Sequence, residues 1–169
     1  MEQQLLIINT DSVRRRIKRE IELLIKEKIC IEDDVGIKDK SDAFHSNIKD
    51  YEVEFKNLND NKYYKFIISN NYPFKPPKLH INNKPISYYH RTENFEFKKK
   101  IKKYTGIECF CCETILCANN WSPNLTFNKV MKEFDYYRDI NRQIVVRLIV
   151  DIIKRKYLID DINIIEWLY

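Results

Sequence analysis

Glycine is almost absent from this 169-residue chain, with two in all, and proline is sparse, with five. Collagen-like and flexible-linker organisations are therefore excluded. No apolar run approaches the ~20 residues that cross a bilayer, and the N-terminus lacks the pattern of a secretory signal peptide, so a soluble intracellular protein with no membrane partner is expected. Neither sign of charge dominates: 30 Lys and Arg stand against 25 Asp and Glu, a formal net charge of +5. That excess is too weak by itself to imply a nucleic-acid partner. What the chain does have is isoleucine, tyrosine and phenylalanine, with 44% hydrophobic residues, which argues against disorder despite the high charge. Its bias toward Ile, Lys, Asn and Tyr suits an AT-rich genome, such as that of some protists or large DNA viruses. One domain spanning 1–169 is expected, able to bury about two-thirds of its unfolded surface without disulfide staples.

The five cysteines are unevenly placed. Cys30 stands alone, whereas Cys109, Cys111, Cys112 and Cys117 fall within nine residues. A secreted disulfide framework spreads its cysteines, so clustering points to thiol chemistry or metal binding.

Hydropathy gives the order of elements. Val13, Ile17, Ile21 and Leu24 recur at helical spacing, with Asp11 or Ser12 as cap and Arg14, Arg15, Arg16, Lys18 and Arg19 on a basic outer face. From 29 to 81 the period changes to two. Residues 51–55 and 62–68 form a hairpin across the polar turn 58–61, and 78–81 add a third strand. Three prolines within 73–77 make a rigid turn at a strand edge. A short basic helix over 95–104, with Phe97 and Ile101 facing inward, ends at Gly106. Helices are then expected from Ser122 or Pro123 to 137, over 139–157, and over 161–168. The sum is an α+β domain with a core at 11–137 and C-terminal helices at 138–169.

Two stretches, Tyr72-Pro-Phe-Lys-Pro-Pro-Lys78 and Asn120-Trp-Ser-Pro-Asn-Leu-Thr126, resemble the ubiquitin-conjugating enzyme family. The first is similar to that family's proline turn between strands, the second to the segment following its catalytic cysteine. The resemblance covers about 11–137 and implies the family's α+β fold. It also implies acyl transfer through a cysteine thioester, with ubiquitin or a ubiquitin-like modifier, an activating enzyme and a ligase as partners, in the cytoplasm or nucleus. No cofactor and no metal are implied. A thiolate is the strongest nucleophile available near neutral pH. Two alignments supply it. Gly106-Ile-Glu-Cys109-Phe110 matches the family run with Phe110 anchoring the loop inward. Cys112-Glu-Thr-Ile-Leu116 matches it with Ile115 and Leu116 packed beneath the site. The balance leans slightly to Cys109. The partner surface would include Arg14, Arg15 and Lys18 of the basic helix, with Tyr72, Pro73, Ser122 and Pro123.

The departures from the family lie in the site. Its His-Pro-Asn is not present in that form, which leaves Asn94, Asn119 or Asn120 to donate to the oxyanion. The loop before Tyr72 is short, so the apolar residue with which the family touches a ligase is expected to be missing. The acidic stretch that positions the incoming lysine has no counterpart. Two other functions remain open: a non-catalytic ubiquitin-binding variant of the fold, and a zinc-stabilised nucleic-acid-binding domain using the cysteines with His90. Against the second, Cys-x-Cys-Cys-x4-Cys is not the usual pair of separated zinc-ligand pairs. Its basic run, Lys98, Lys99, Lys100, Lys102 and Lys103, reads more readily as a solvated helix face. Cys30, Cys111 and Cys117 are expected as buried thiols, His80 as a satisfied strand-edge histidine, and Trp121 as a packing anchor.

Overall fold

A computed structural model describes residues 2–41, 49–86 and 95–157. In chain order the elements are α1 (Glu2–Lys26), β1 (Gly36–Ser41), β2 (Lys49–Lys56), β3 (Tyr63–Ile68), β4 (Lys78–Ile81), β5 (Lys84–Pro85), α2 (Phe95–Thr105), α3 (Phe110–Glu113) and α4 (Phe127–Tyr157). The five strands form one antiparallel sheet in sequential order. The protein is α+β, as the alternation of periods implied. The 161–168 helix falls outside the described residues, as does His90.

Period-two alternation decides which face of the sheet is buried. Tyr51, Val53 and Phe55 of β2 lie opposite Ile68, Phe66 and Tyr64 of β3, and the last two face Leu79 and Ile81 of β4. All eight are buried. The opposite face carries charge: Glu54 sits across from Lys65 and pairs with it at 2.6 Å. Asn82 and Asn83 both take positive φ and turn the chain from β4 into β5, a two-residue hairpin that asparagine tolerates. The polar turn at 58–61 is held by the Asn57 side chain, which accepts from the Asn59 N–H.

Helix α1 buries Val13, Ile17, Ile21 and Leu24 against this sheet face, each contributing about 1.5–3 kcal/mol by burial. It starts well before Asp11 and Ser12, which therefore lie within it rather than capping it. No glycine or proline interrupts residues 2–26, so nothing forces a later start. At its end Lys28 is left-handed, and the Lys28 and Ile29 N–H groups return to the Ile25 and Leu24 carbonyls, a Schellman closure.

Helix α4 corrects two expectations. It begins at Phe127 rather than at Ser122 or Pro123. Residues 122–125 instead form a turn closed by the Leu125 N–H on the Ser122 carbonyl, and Thr126 Oγ1 accepts from the Lys129 N–H as the cap. Nor does the helix break near 138. Phe127, Val130, Met131 and Phe134 join the main core, while Tyr137 and Ile144 join a second cluster with Ile101 of α2 and Phe110. The polar run between these stretches is bridged by Arg138 to Asp135 at 3.0 Å.

One carboxylate fastens these parts together. Glu20 is 2% exposed, on the apolar face of α1. Its Oε1 pairs with Arg16 at 2.6 Å and accepts from the Tyr72 hydroxyl at 3.3 Å. Its Oε2 accepts the Phe127 N–H at 3.1 Å, one of the amides that a helix start leaves without a partner. Arg16 also donates to the Leu125 carbonyl. Replacing Glu20 with Ala strands the Phe127 N–H in the core and removes the acceptor of the Tyr72 hydroxyl. A loss of at least about 2 kcal/mol in urea unfolding is expected, against less than about 0.5 kcal/mol for Lys38→Ala on the exposed face. Equal losses would refute the role given to Glu20.

Candidate active site

The cysteine loop hangs between the two clusters. Gly106 ends α2 at φ +73°, a conformation glycine adopts without penalty. Thr105 Oγ1 accepts from the Ile107 N–H, turning the chain toward Cys109. Phe110 follows, 3% exposed, its ring 4.6 Å from that of Tyr137. With Phe110 drawn inward, Cys109 stays half-exposed at the head of α3, and Cys111 and Cys112 are exposed.

Downstream, Glu133 of α4 clamps the loop. It accepts from Thr114 Oγ1 at 2.6 Å and from the Ile115 N–H at 2.8 Å. Burial raises the Glu133 pKa, while the Thr114 and Ile115 hydrogen bonds oppose that rise. Ile115 and Leu116 pack on the main core. Asn120 Nδ2 donates to the Cys112 carbonyl at 2.7 Å and the Thr114 carbonyl at 3.1 Å. Both hydrogens of that amide are thereby engaged with the loop backbone. Asn119 is exposed, and Asn94 lies outside the described residues.

The two motifs meet in space. Trp121 Nε1 donates to the Pro73 carbonyl at 2.7 Å, and the Tyr72 and Trp121 rings lie 6.2 Å apart. Trp121 is the packing anchor expected. Tyr72, however, is 2% exposed, so it supports the fold and offers nothing to a partner. Burial, then the nearby Glu20 charge, raises its pKa. Pro73 and Ser122 are half-buried and Pro123 is exposed. Arg14, Arg15 and Lys18 are exposed along α1.

The thiols differ sharply. Facing the Cys111 thiol and the backbone N–H groups of Cys111 and Cys112, the Cys109 sulfur is held below the ordinary cysteine pKa against the opposing effect of burial. Cys111, hydrogen-bonded to Cys109 and partly desolvated, is pushed up to about 12. The backbone N–H groups of Cys111 and Cys112, hydrogen-bonded to the Cys109 sulfur, favour thiolate there. Cys30 is buried as expected, and burial raises its pKa. Cys111 was expected to be buried and is instead exposed, because the buried Phe110 turns its neighbour outward; Cys117 is half-exposed.

Beside the loop, a cleft of about 360 Å³ opens between it and β4–β5, lined by Leu79, His80, Ile86, Cys111, Leu116 and Cys117 among others. His80 is not the satisfied histidine expected: its Nδ1 is buried without a hydrogen-bond partner, and burial lowers its pKa. Lys98, Lys99, Lys102 and Lys103 are exposed on α2, as a solvated face requires. Lys100 departs from it by pairing with Asp151 of α4.

Three contributors escaped the sequence reading. Glu20 and Glu133 are charged residues set into apolar helix faces, which is the signal that marks them. Phe74, one residue past Pro73, is 79% exposed. No family model, curated protein or solved structure matches the chain.

The contrast between Cys109 and Cys111 sets an expectation for reactivity. Alkylation of Cys109 by iodoacetamide, mapped by peptide mass, should reach half its limiting rate below the pH typical of a free thiol. In Cys111→Ala, which removes the principal group holding that pKa down, the midpoint should move to higher pH. An unchanged midpoint would show that Cys111 does not activate Cys109.

Proposed function

We propose that the protein is a divergent ubiquitin-conjugating enzyme that accepts ubiquitin or a ubiquitin-like modifier on Cys109. The observation that carries this assignment is the Trp121–Pro73 hydrogen bond. It joins the two stretches that resemble the family, 48 residues apart in sequence, and Asn120 ties the cysteine loop to the same junction. The antiparallel meander flanked by an N-terminal helix and later helices supports the family's fold. The half-exposed, low-pKa thiol supports its chemistry.

In the loading step the Cys109 thiolate attacks the carbonyl carbon of the modifier's thioester on the activating enzyme. A new C–S bond forms, the old one breaks, and the activating enzyme's thiolate leaves. In the discharge step a substrate lysine amine attacks the Cys109 thioester. The C–N bond forms, the C–S bond breaks, the Cys109 thiolate departs, and the amine's extra proton passes to solvent. With Asn120 engaged by the loop, the oxyanion is left to other donors, among which Asn119 is exposed. The basic face of α1, with Arg14, Arg15 and Lys18, docks the activating enzyme. The exposed Phe74 gives a ligase an apolar contact.

Incubation with activating enzyme, ATP and ubiquitin, followed by non-reducing electrophoresis, should yield one adduct that thiol reductants remove. Cys112→Ser should retain it, and Cys109→Ser should give a reduction-resistant ester or none. Ubiquitin binding with no adduct would instead identify a non-catalytic variant, and an adduct that persists as a thioester in Cys109→Ser would overturn the choice of carrier.

A further inference from the structure

Thioester chemistry uses one sulfur, yet the loop gathers three. The sulfurs of Cys109, Cys111 and Cys112 all lie within 4.8 Å of one another, and those of Cys111 and Cys112 are 3.8 Å apart. Zinc–thiolate bonds are about 2.3 Å, which places two sulfurs on one tetrahedral ion about 3.8 Å apart. The Cys111–Cys112 pair thus already has the separation that a shared ion imposes. Closing the third sulfur to the same spacing takes a shift of about 1 Å or less by that geometry.

The scaffold accounts for the convergence. Cys109 is extended, at φ −151° and ψ 115°, and heads a single helical turn. Phe110, the residue the three sulfurs skip, points into the second cluster and packs on Tyr137. Its neighbours are thereby turned outward together, and Asn120 holds the Cys112 carbonyl in place. Three thiolates at this spacing repel one another strongly unless a cation lies between them. A soft all-sulfur donor set selects zinc or copper(I) over the hard divalent ions. Among the described residues no fourth histidine, cysteine or carboxylate completes the group, so a tetrahedral ion here retains one position for water or an external donor.

We propose that Cys109, Cys111 and Cys112 form a zinc site with one open coordination position. Each thiol releases its proton to solvent as its sulfur donates an electron pair to the ion, with no change of oxidation state. The site is independent of modifier chemistry except at Cys109, which cannot hold zinc and an acyl group together.

The test uses the full chain, reduced with a phosphine and freed of metal. Titration with Co(II) should produce a thiolate-to-cobalt charge-transfer band and the visible bands of tetrahedral cobalt, saturating at one ion per chain. Zn(II) should then bleach both. Cys109→Ser, Cys111→Ser and Cys112→Ser should each lose the charge-transfer intensity, while Cys117→Ser retains it. No band in the wild type, or a band undiminished in Cys111→Ser, would overturn the site. Cys112→Ser also separates the two functions, since it removes the metal site but keeps the proposed carrier with Cys111 beside it, so either can fail while the other stands.

Discussion

A buried charge is tolerable only when paired and hydrogen-bonded, and Glu20 meets that condition with Arg16 of its own helix and by drawing two distant segments to itself. Desolvating a carboxylate costs several kcal/mol, which Arg16, the Tyr72 hydroxyl and the Phe127 N–H offset together. These partners come from α1, the proline turn and the first residue of α4. Satisfying one carboxylate therefore fixes where the turn lies and where the longest helix begins. Trp121 then reaches Pro73 because the segments on either side of their contact are already tethered.

Glu133 repeats the device one layer out. Rooted in α4, it holds Thr114 and Ile115 and so fixes the trailing end of the cysteine loop. Phe110 fixes the leading end by packing on the same helix. Helix α4 acts as a beam across both hydrophobic clusters, and the loop is pinned to it twice. The pinning has a chemical consequence. The backbone between the two pins has little freedom, so Cys109, Cys111 and Cys112 are held close enough for one thiol to tune the next. An unpinned loop would let the sulfurs separate, and the thiolate character of Cys109 would fade.

Much of this was legible in the sequence. The alternation in β2 and β3, the α1 stripe, the Gly106 stop and the inward anchor Phe110 all follow from local pattern, because each is decided by neighbours in the chain. Other features are decided by contacts across the fold. A charged residue on an apolar face reads locally as a blemish, and only the folded chain shows that Glu20 meets partners 52 and 107 residues away. The division of α4 near 138 followed from a polar interruption that Arg138 and Asp135 bridge on the helix surface. Tyr72 looked available because its motif lies in a turn, yet its ring is packed between Trp121 and Phe127. The exposure of Cys111 depends on the burial of Phe110 against a helix that begins 17 residues later in the sequence.

Hydrogen exchange at two backbone amides tests the central claim, that the buried Glu20 and the half-buried Glu133 hold the turn, the helix start and the cysteine loop. The Phe127 N–H has no partner within its own helix and the Ile115 N–H lies outside regular structure, so neither is protected by secondary structure. Held by Glu20 and Glu133, both should exchange as slowly as the amides of β2 and β3, through opening of the whole domain. Exchange at the rate of exposed loop amides would contradict the account.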